Sequence, residues 1–301
     1  MKPFLTLLRR EWLQHRFGWA LLALVPLALA LLLLGFGSIE LDTAPEERHG
    51  EAFAAMVALV SIAGTTAVMF VIFWLTSTVL AIGIARRDHQ DRSIEFWLSL
   101  PTGHTVSLAA PMLVHLLLVP AAALLLGSMS GLVVSLVVVS RLLGFEAWLA
   151  LPWGSVLAGA AAGVARVIAG VPLAALWLAP LTLVLLLFGA WFKRWAIPLA
   201  LLSVGLGSVL LDSYFQQPLL VPMLSRIGDS ALHAFASPGT FQAGGIETPA
   251  DVLDAVGQLP AWAVEDLVHS WRRAWSWSFA AGLAVAGALF ALLVDWRRRC
   301  V

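Results

Sequence analysis

The sequence contains few charged residues for its length. Only 12% of its 301 residues are charged, against about 25% in an average soluble domain. Hydrophobic residues make up 60% of the chain, and the mean hydropathy is +0.91. Because a soluble domain of this size keeps much of its surface in water, it could not bury so much apolar material. An ordinary cytosolic enzyme, a disordered chain and a nucleic-acid-binding protein are therefore excluded.

Several chemical signatures are missing as well. The single cysteine, Cys300, excludes an intrachain disulfide framework and a cysteine-rich metal site. With 18 basic and 18 acidic residues there is no excess charge for binding a polyanion. The sequence has no GxxxxGK[ST] loop and no HExxH motif, so the chain is not itself an ATPase or a zincin. Its seven histidines are scattered, and we expect no catalytic residue, no metal and no cofactor in this chain.

What the sequence does contain is long uncharged runs. A transmembrane helix needs about 20 apolar residues, and continuous runs rather than alternation favour helices over a β-barrel. The runs predict one all-α transmembrane domain, 1–301, with six spans. The predicted spans are 19–37, 54–84, 106–139, 171–192, 195–212 and 274–294.

The positive charges predict how these spans are oriented. With six spans, 12 of the 18 cations fall on the side that holds both termini and the loop 86–105. The positive-inside rule makes that side cytosolic. A seventh crossing through 147–165 would break this pattern, so 141–170 is predicted to be an external interfacial or re-entrant segment. Residues 213–273 form the second external segment, which we interpret as a lid at the level of the headgroups.

The N-terminal stretch 3–18 has the pattern of a helix lying at the membrane surface. Its apolar residues recur at helical spacing and its arginines point in other directions. This predicts an amphipathic elbow helix, which either anchors the chain or contacts a cytosolic partner. The residues that define it are Leu5, Leu8, Arg9, Arg10 and Trp12.

The cytosolic loop 86–105 contains an unusually apolar segment. From Ile94 to Leu100, five of seven residues are apolar. A helix that is apolar nearly all round is normally buried, and so short a loop cannot bury it alone. It is covered either by a partner protein or by the chain's own helices and the lipid headgroups.

The sequence from Asp91 to Pro101, DRSIEFWLSLP, resembles the coupling-helix signature of type-2 (ABC-2-type) ABC exporter permeases. The resemblance implies two copies of this chain in a bacterial inner membrane, driven by two separate ATPase subunits that bind ATP and Mg²⁺. It also implies that the segment docks into a cleft of the ATPase, and that a re-entrant gate helix lies within 213–273. By matching, the docking residues are Arg92, Glu95, Phe96, Trp97, Leu98, Leu100 and Pro101.

Polar residues inside the predicted spans are few. Thr76, Ser77 and Thr78 could line a transport path, although hydroxyl bonds within the helix are the usual role of such residues. No charged residue lies at a predicted midplane, which favours an amphiphilic cargo. Two alternatives remain open: a secondary transporter or channel, and a membrane component that transmits motion within an ABC-type assembly without moving a small substrate.

Overall fold

The computed structural model describes residues 2–37, 51–84, 103–216, 218–238 and 249–299. Within these ranges the chain is helical and contains no strand, which confirms the all-α prediction. The helices are α1 (Lys2–Phe36), α2 (Glu51–Ile82), α3 (His104–Leu143), α4 (Phe145–Leu149), α5 (Trp153–Phe192), α6 (Ala196–Phe215), α7 (Leu220–His233), α8 (Pro249–Ala274) and α9 (Trp277–Arg299).

Five helical stretches in the described residues are long and apolar enough to cross a membrane. They are Phe4–Phe36, Glu51–Ile82, His104–Leu143, Trp153–Phe215 and Trp277–Arg299. The fourth stretch combines α5 and α6, which are separated by the 3-10 turn Lys193–Trp195. Lys193 has a positive φ of 58°, so the helix is broken at this point.

The first two predicted elements form one helix. The proposed elbow, 3–18, runs directly into the predicted first span as the continuous helix α1, so a separate elbow helix is not confirmed. The sequence explains the continuity, because the junction contains only Gly18 as a weak helix former, and one internal glycine costs about 1 kcal/mol. A single unfavourable residue of this kind does not end a helix of 35 residues.

The region around 141–170 also differs from a simple surface segment. Residues 145–149 form the short helix α4, which follows Gly144 with a φ of 95°. Residues 153–170 form the first part of α5, which continues without a break through Pro172 and Pro180. The predicted fourth span is thus the second half of a 40-residue helix.

Two packed clusters mark the two ends of the bundle. At one end, the last residues of α2, α5 and α9 pack against the first turns of α3; we call this the proximal end. Its buried residues include Ile84, Leu108, Ala190 and Leu293. At the opposite, distal end, the start of α2, the end of α3, α4 and the start of α5 pack together. Its buried residues include Ala55, Val139, Leu151 and Val156.

Glycines allow α2 and α3 to pack closely. On α3, Gly127 and Gly131 face α2, where an added Cβ would lie 2.9 Å from Cα of Thr66 and 2.8 Å from Cα of Ile62, respectively. The spacing is that of the GxxxG motif, which brings membrane helices into backbone contact. The α2–α3 pair is therefore the tightly packed centre on which the other helices assemble.

Candidate functional site

An apolar cavity of about 540 Å³ lies between α2, α3, α5, α8 and the residues that follow α7. Its lining includes Ile62, Thr66, Phe70, Gly159, Gly163 and Trp262. The hydroxyl of Thr66 donates to the carbonyl of Ile62 at 2.7 Å, so it is already satisfied within α2. No ionisable side chain occurs among the described lining residues. The volume lies in the range of about 300–1,000 Å³ that is typical of ligand-binding pockets, and the walls suit an apolar group.

Helix α8 forms one wall of this cavity. Val252, Val256 and Leu259 from α8 line it opposite α2. Gly159 on α5 permits this approach, because an added Cβ there would overlap the side chain of Val256. Helix α8 is amphipathic, with its apolar side toward the cavity and charged residues such as Glu265 exposed.

A buried ion pair fastens α8 to α5 beside the cavity. Arg166 of α5 lies between two lining residues, Val164 and Val167. Its Nε donates to Oδ2 of Asp266 on α8 at 2.8 Å, and its Nη2 lies 2.5 Å from the same oxygen. Both side chains are fully buried. Charges buried this deeply are found only where they are paired and hydrogen-bonded.

The remaining polar atoms of this pair form hydrogen bonds to the residues after α7 and to a serine of α8. Arg166 Nη1 donates to the carbonyl of Ala234 at 2.8 Å, and Nη2 donates to Oγ of Ser270 at 2.6 Å. The amide of Ser237 donates to Oδ1 of Asp266 at 3.0 Å. Gly170 makes room, because a Cβ there would collide with the carbonyl oxygen of Ala234.

The network therefore acts as a clasp, which we define as Arg166, Asp266, Ser270, Ser237 and the carbonyl of Ala234. The clasp holds α5, α8 and the residues after α7 together at one edge of the apolar cavity. The guanidinium group is occupied by protein acceptors on all three of its nitrogens. Its role in this arrangement is to fix the wall α8.

The predicted docking residues all lie outside the described residues. They are Arg92, Glu95, Phe96, Trp97, Leu98, Leu100 and Pro101. The described chain stops at Ile84 and resumes at Gly103. Both Ile84 and Leu108, on either side of this gap, belong to the proximal cluster.

The residues of the predicted elbow divide between two faces of α1. Leu8 packs against the cluster of Trp19, Met69 and Phe73. Leu5 and Trp12 are exposed, as is Arg9, while Arg10 is half-buried. The buried face of this part of α1 is instead formed by Leu7, Glu11 and Trp19. Of the predicted apolar residues Leu5, Leu8 and Trp12, only Leu8 therefore packs against the bundle.

The three hydroxyl residues of α2 do not line the large cavity. Ser77 and Thr78 donate to the carbonyl of Trp74 at 3.2 and 2.8 Å, the ordinary role for such residues in a helix. Thr78 lines a separate, smaller cavity of about 210 Å³, together with Thr182 of α5. Thr76 is half-buried on the same helix.

Sequence reasoning missed the clasp. The sequence predictions placed Arg166 and Asp266 in two separate external segments, 141–170 and 213–273. One signal was present, because Arg166 is the single charged residue between 147 and 192. A lone charge in so apolar a stretch usually has a buried partner, but its partner lies 100 positions further along the chain.

Comparisons with known proteins identify no relative of this chain. No protein-family model matches it, and neither the curated proteins nor the solved structures give a match. Any function must therefore be argued from the residues and the geometry described above.

Proposed function

We propose that this chain is the permease subunit of an ATP-driven transporter of the ABC-2 type, most simply an exporter. Two copies would work with two separate ATPase subunits, which supply the nucleotide site that the sequence of this chain does not encode. The observation that carries the proposal is the sequence Asp91–Pro101, which lies between the end of α2 and the start of α3, both at the proximal end.

The packing of that end supports a common cytosolic side. The proximal cluster joins the two helix ends beside the docking segment to the end of α5, next to Lys193 and Arg194. It also includes the end of α9, which continues into Arg297–Arg299. These cations are among those that the positive-inside rule assigns to the cytosol. Both termini are then cytosolic, and α6 is the fifth of six spans.

The large cavity supports an apolar or amphiphilic cargo. Its described lining carries no ionisable group, whereas a secondary transporter normally places such groups along its path. It lies in the distal half of α2 and α5, and in the proposed orientation that half faces the outer leaflet. Helix α8 would then serve as the outer wall through which cargo leaves.

The proposal is tested by isolating the tagged full-length chain from membranes of its native host. We expect a protein that carries a GxxxxGK[ST] loop to co-purify at equal stoichiometry. The complex should hydrolyse ATP, and vesicles containing both subunits should take up or release amphiphile only with ATP. Transport by the chain alone in vesicles, driven by an ion gradient, would instead establish a secondary transporter.

A substitution inside the cavity should block cargo without unfolding the chain. An added Cβ at Gly163 meets no atom within 4 Å, so Gly163→Phe can place its ring in the cavity. We expect photolabelling of the cavity walls by a diazirine-bearing fatty acid to fall several-fold. The labelled peptides are identified by mass spectrometry.

The matched control is Gly154→Phe on the same helix. Gly154 is exposed, also has open space around its Cβ position, and does not line the cavity. Labelling in this variant should equal that of the wild type. Equal labelling of the Gly163→Phe chain, with unchanged thermal stability, would show that the cavity does not take the acyl chain.

A further inference from the structure

Three side chains that can bind a metal meet between α1 and α3, and none of them belongs to the clasp. They are Glu11 and His15, one turn apart on α1, and His115 on α3. One ligand atom from each lies within 4.8 Å of the others. The sequence showed two of them at i and i+4, but nothing in it indicated that His115 joins them.

His115 is buried in an unusual way. It is 1% exposed, and neither ring nitrogen has a hydrogen-bond partner. A buried imidazole without a partner loses its hydrogen bonds to water and forms none to the protein, which costs free energy. Its Nε2 lies 3.5 Å from Oε2 of Glu11, which is also 1% exposed. This separation exceeds that of a good hydrogen bond.

The backbone also points to a special position. His115 lies in a five-residue π-helical segment, Val114–Leu118, that interrupts α3. Such segments are rare and occur frequently at functional sites, since they shift side chains out of the α-helical register. The ring of His115 packs edge-on against that of His15, with centroids 5.5 Å apart.

We propose that Glu11, His15 and His115 bind a divalent transition-metal ion of the zinc type. Two imidazoles and one carboxylate are a common zinc ligand set with a fourth position open, and imidazole disfavours Mg²⁺ and Ca²⁺. A tetrahedral ion at about 2.1 Å holds its ligand atoms roughly 3.4 Å apart. The 3.5 Å between Glu11 and His115 already matches this spacing. The remaining separations are at most 4.8 Å, so each needs to close by no more than about 1.4 Å.

The ion would fasten the first helix to the bundle. Much of α1 is exposed, including Phe17 at 74% and Phe36 at 90%, and its buried residues in the described chain are Leu7, Glu11 and Trp19. A metal shared by α1 and α3 cross-links two helices at the end where the proposed docking segment begins. The inference itself depends only on the three side chains and does not require the proposed function.

The test uses the full-length chain, purified in detergent, stripped with a chelator and titrated with Zn²⁺. We expect one ion per chain, a higher melting temperature with Zn²⁺, and no comparable response to Mg²⁺. Co²⁺ in the same site should give the intense visible bands of a four-coordinate complex. His115→Ala and Glu11→Gln should weaken binding by more than about 100-fold, beyond the 10–100-fold that changes outside the ligand set cause.

His269→Ala is the matched control, since His269 is exposed on α8. It should bind Zn²⁺ like the wild type. If His115→Ala does not fold, His15→Asn, at the half-buried ligand, gives the same comparison. The proposal fails if the wild type binds no Zn²⁺, or if the ligand variants bind it as tightly as the control does. The ATPase co-purification is a separate measurement, so failure of either proposal is recognised independently.

Discussion

Replacing Arg166 with methionine is expected to destabilise the chain strongly, because it leaves the carboxylate of Asp266 buried without its partner. Both side chains are fully buried, and the guanidinium supplies two of the contacts to that carboxylate. Removing one member of a buried pair typically costs about 3–5 kcal/mol. Asp266→Leu should have a similar effect, since it leaves the guanidinium group of Arg166 buried without its carboxylate partner. Thermal unfolding of the purified chain measures both.

The double variant distinguishes an ion pair from simple packing. Replacing both members of a buried pair with apolar residues of similar volume is often neutral. We therefore expect Arg166→Met combined with Asp266→Leu to recover most of the stability lost in either single variant. Glu265→Gln, at an exposed neighbour, is the control and should melt like the wild type. A double variant as unstable as the two single losses added together would contradict the pairing.

The clasp also affects the cavity, because it fixes the wall α8. In the double variant the residues after α7 lose their bond from Arg166 to the carbonyl of Ala234, and the amide of Ser237 loses Asp266. Stability can recover while the position of α8 does not. Photolabelling by the diazirine fatty acid should then change in distribution even where the melting temperature returns to normal.

The broad fold could be predicted from the sequence because hydrophobic runs reflect a one-dimensional requirement, the thickness of the bilayer. The runs around α2, α3 and α9 are examples. Boundaries were harder to predict, since α1 does not end at Gly18 and α5 continues past Arg166. Charge counting alone cannot distinguish a buried cation from a solvated one.

The sites were mostly beyond sequence reasoning, for a different reason. Arg166 and Asp266 are 100 residues apart, and Glu11 and His115 are also distant in sequence. Each pair is brought together by helix packing that a single sequence does not encode locally. The docking segment is the opposite case, because its apolar residues are contiguous and its pattern is visible without any tertiary structure.

The second large effect is expected in the docking segment Asp91–Pro101, where Trp97→Asp should cause loss of ATPase binding. Large aromatic residues at the centre of an interface cost about 2–4 kcal/mol or more when removed, and a charge in their place adds a desolvation penalty. At about 1.4 kcal/mol for each tenfold, a loss of 3 kcal/mol weakens binding roughly 100-fold. We expect ATP-driven transport to disappear while the permease remains in the membrane.

Ser99→Asp is the matched control, because it places the same charge two residues away at a polar position of the segment. This variant should bind the ATPase subunit nearly as tightly as the wild type does. The melting temperature of the isolated chain separates the two ways in which Ile94–Leu100 can be covered. If a partner cleft covers the segment, Trp97→Asp should leave this temperature unchanged, since the side chain would be buried by the partner and not by its own chain. A substantial fall, with the ATPase still bound, would mean that the chain's own helices cover the segment, and the docking proposal would then have to be abandoned.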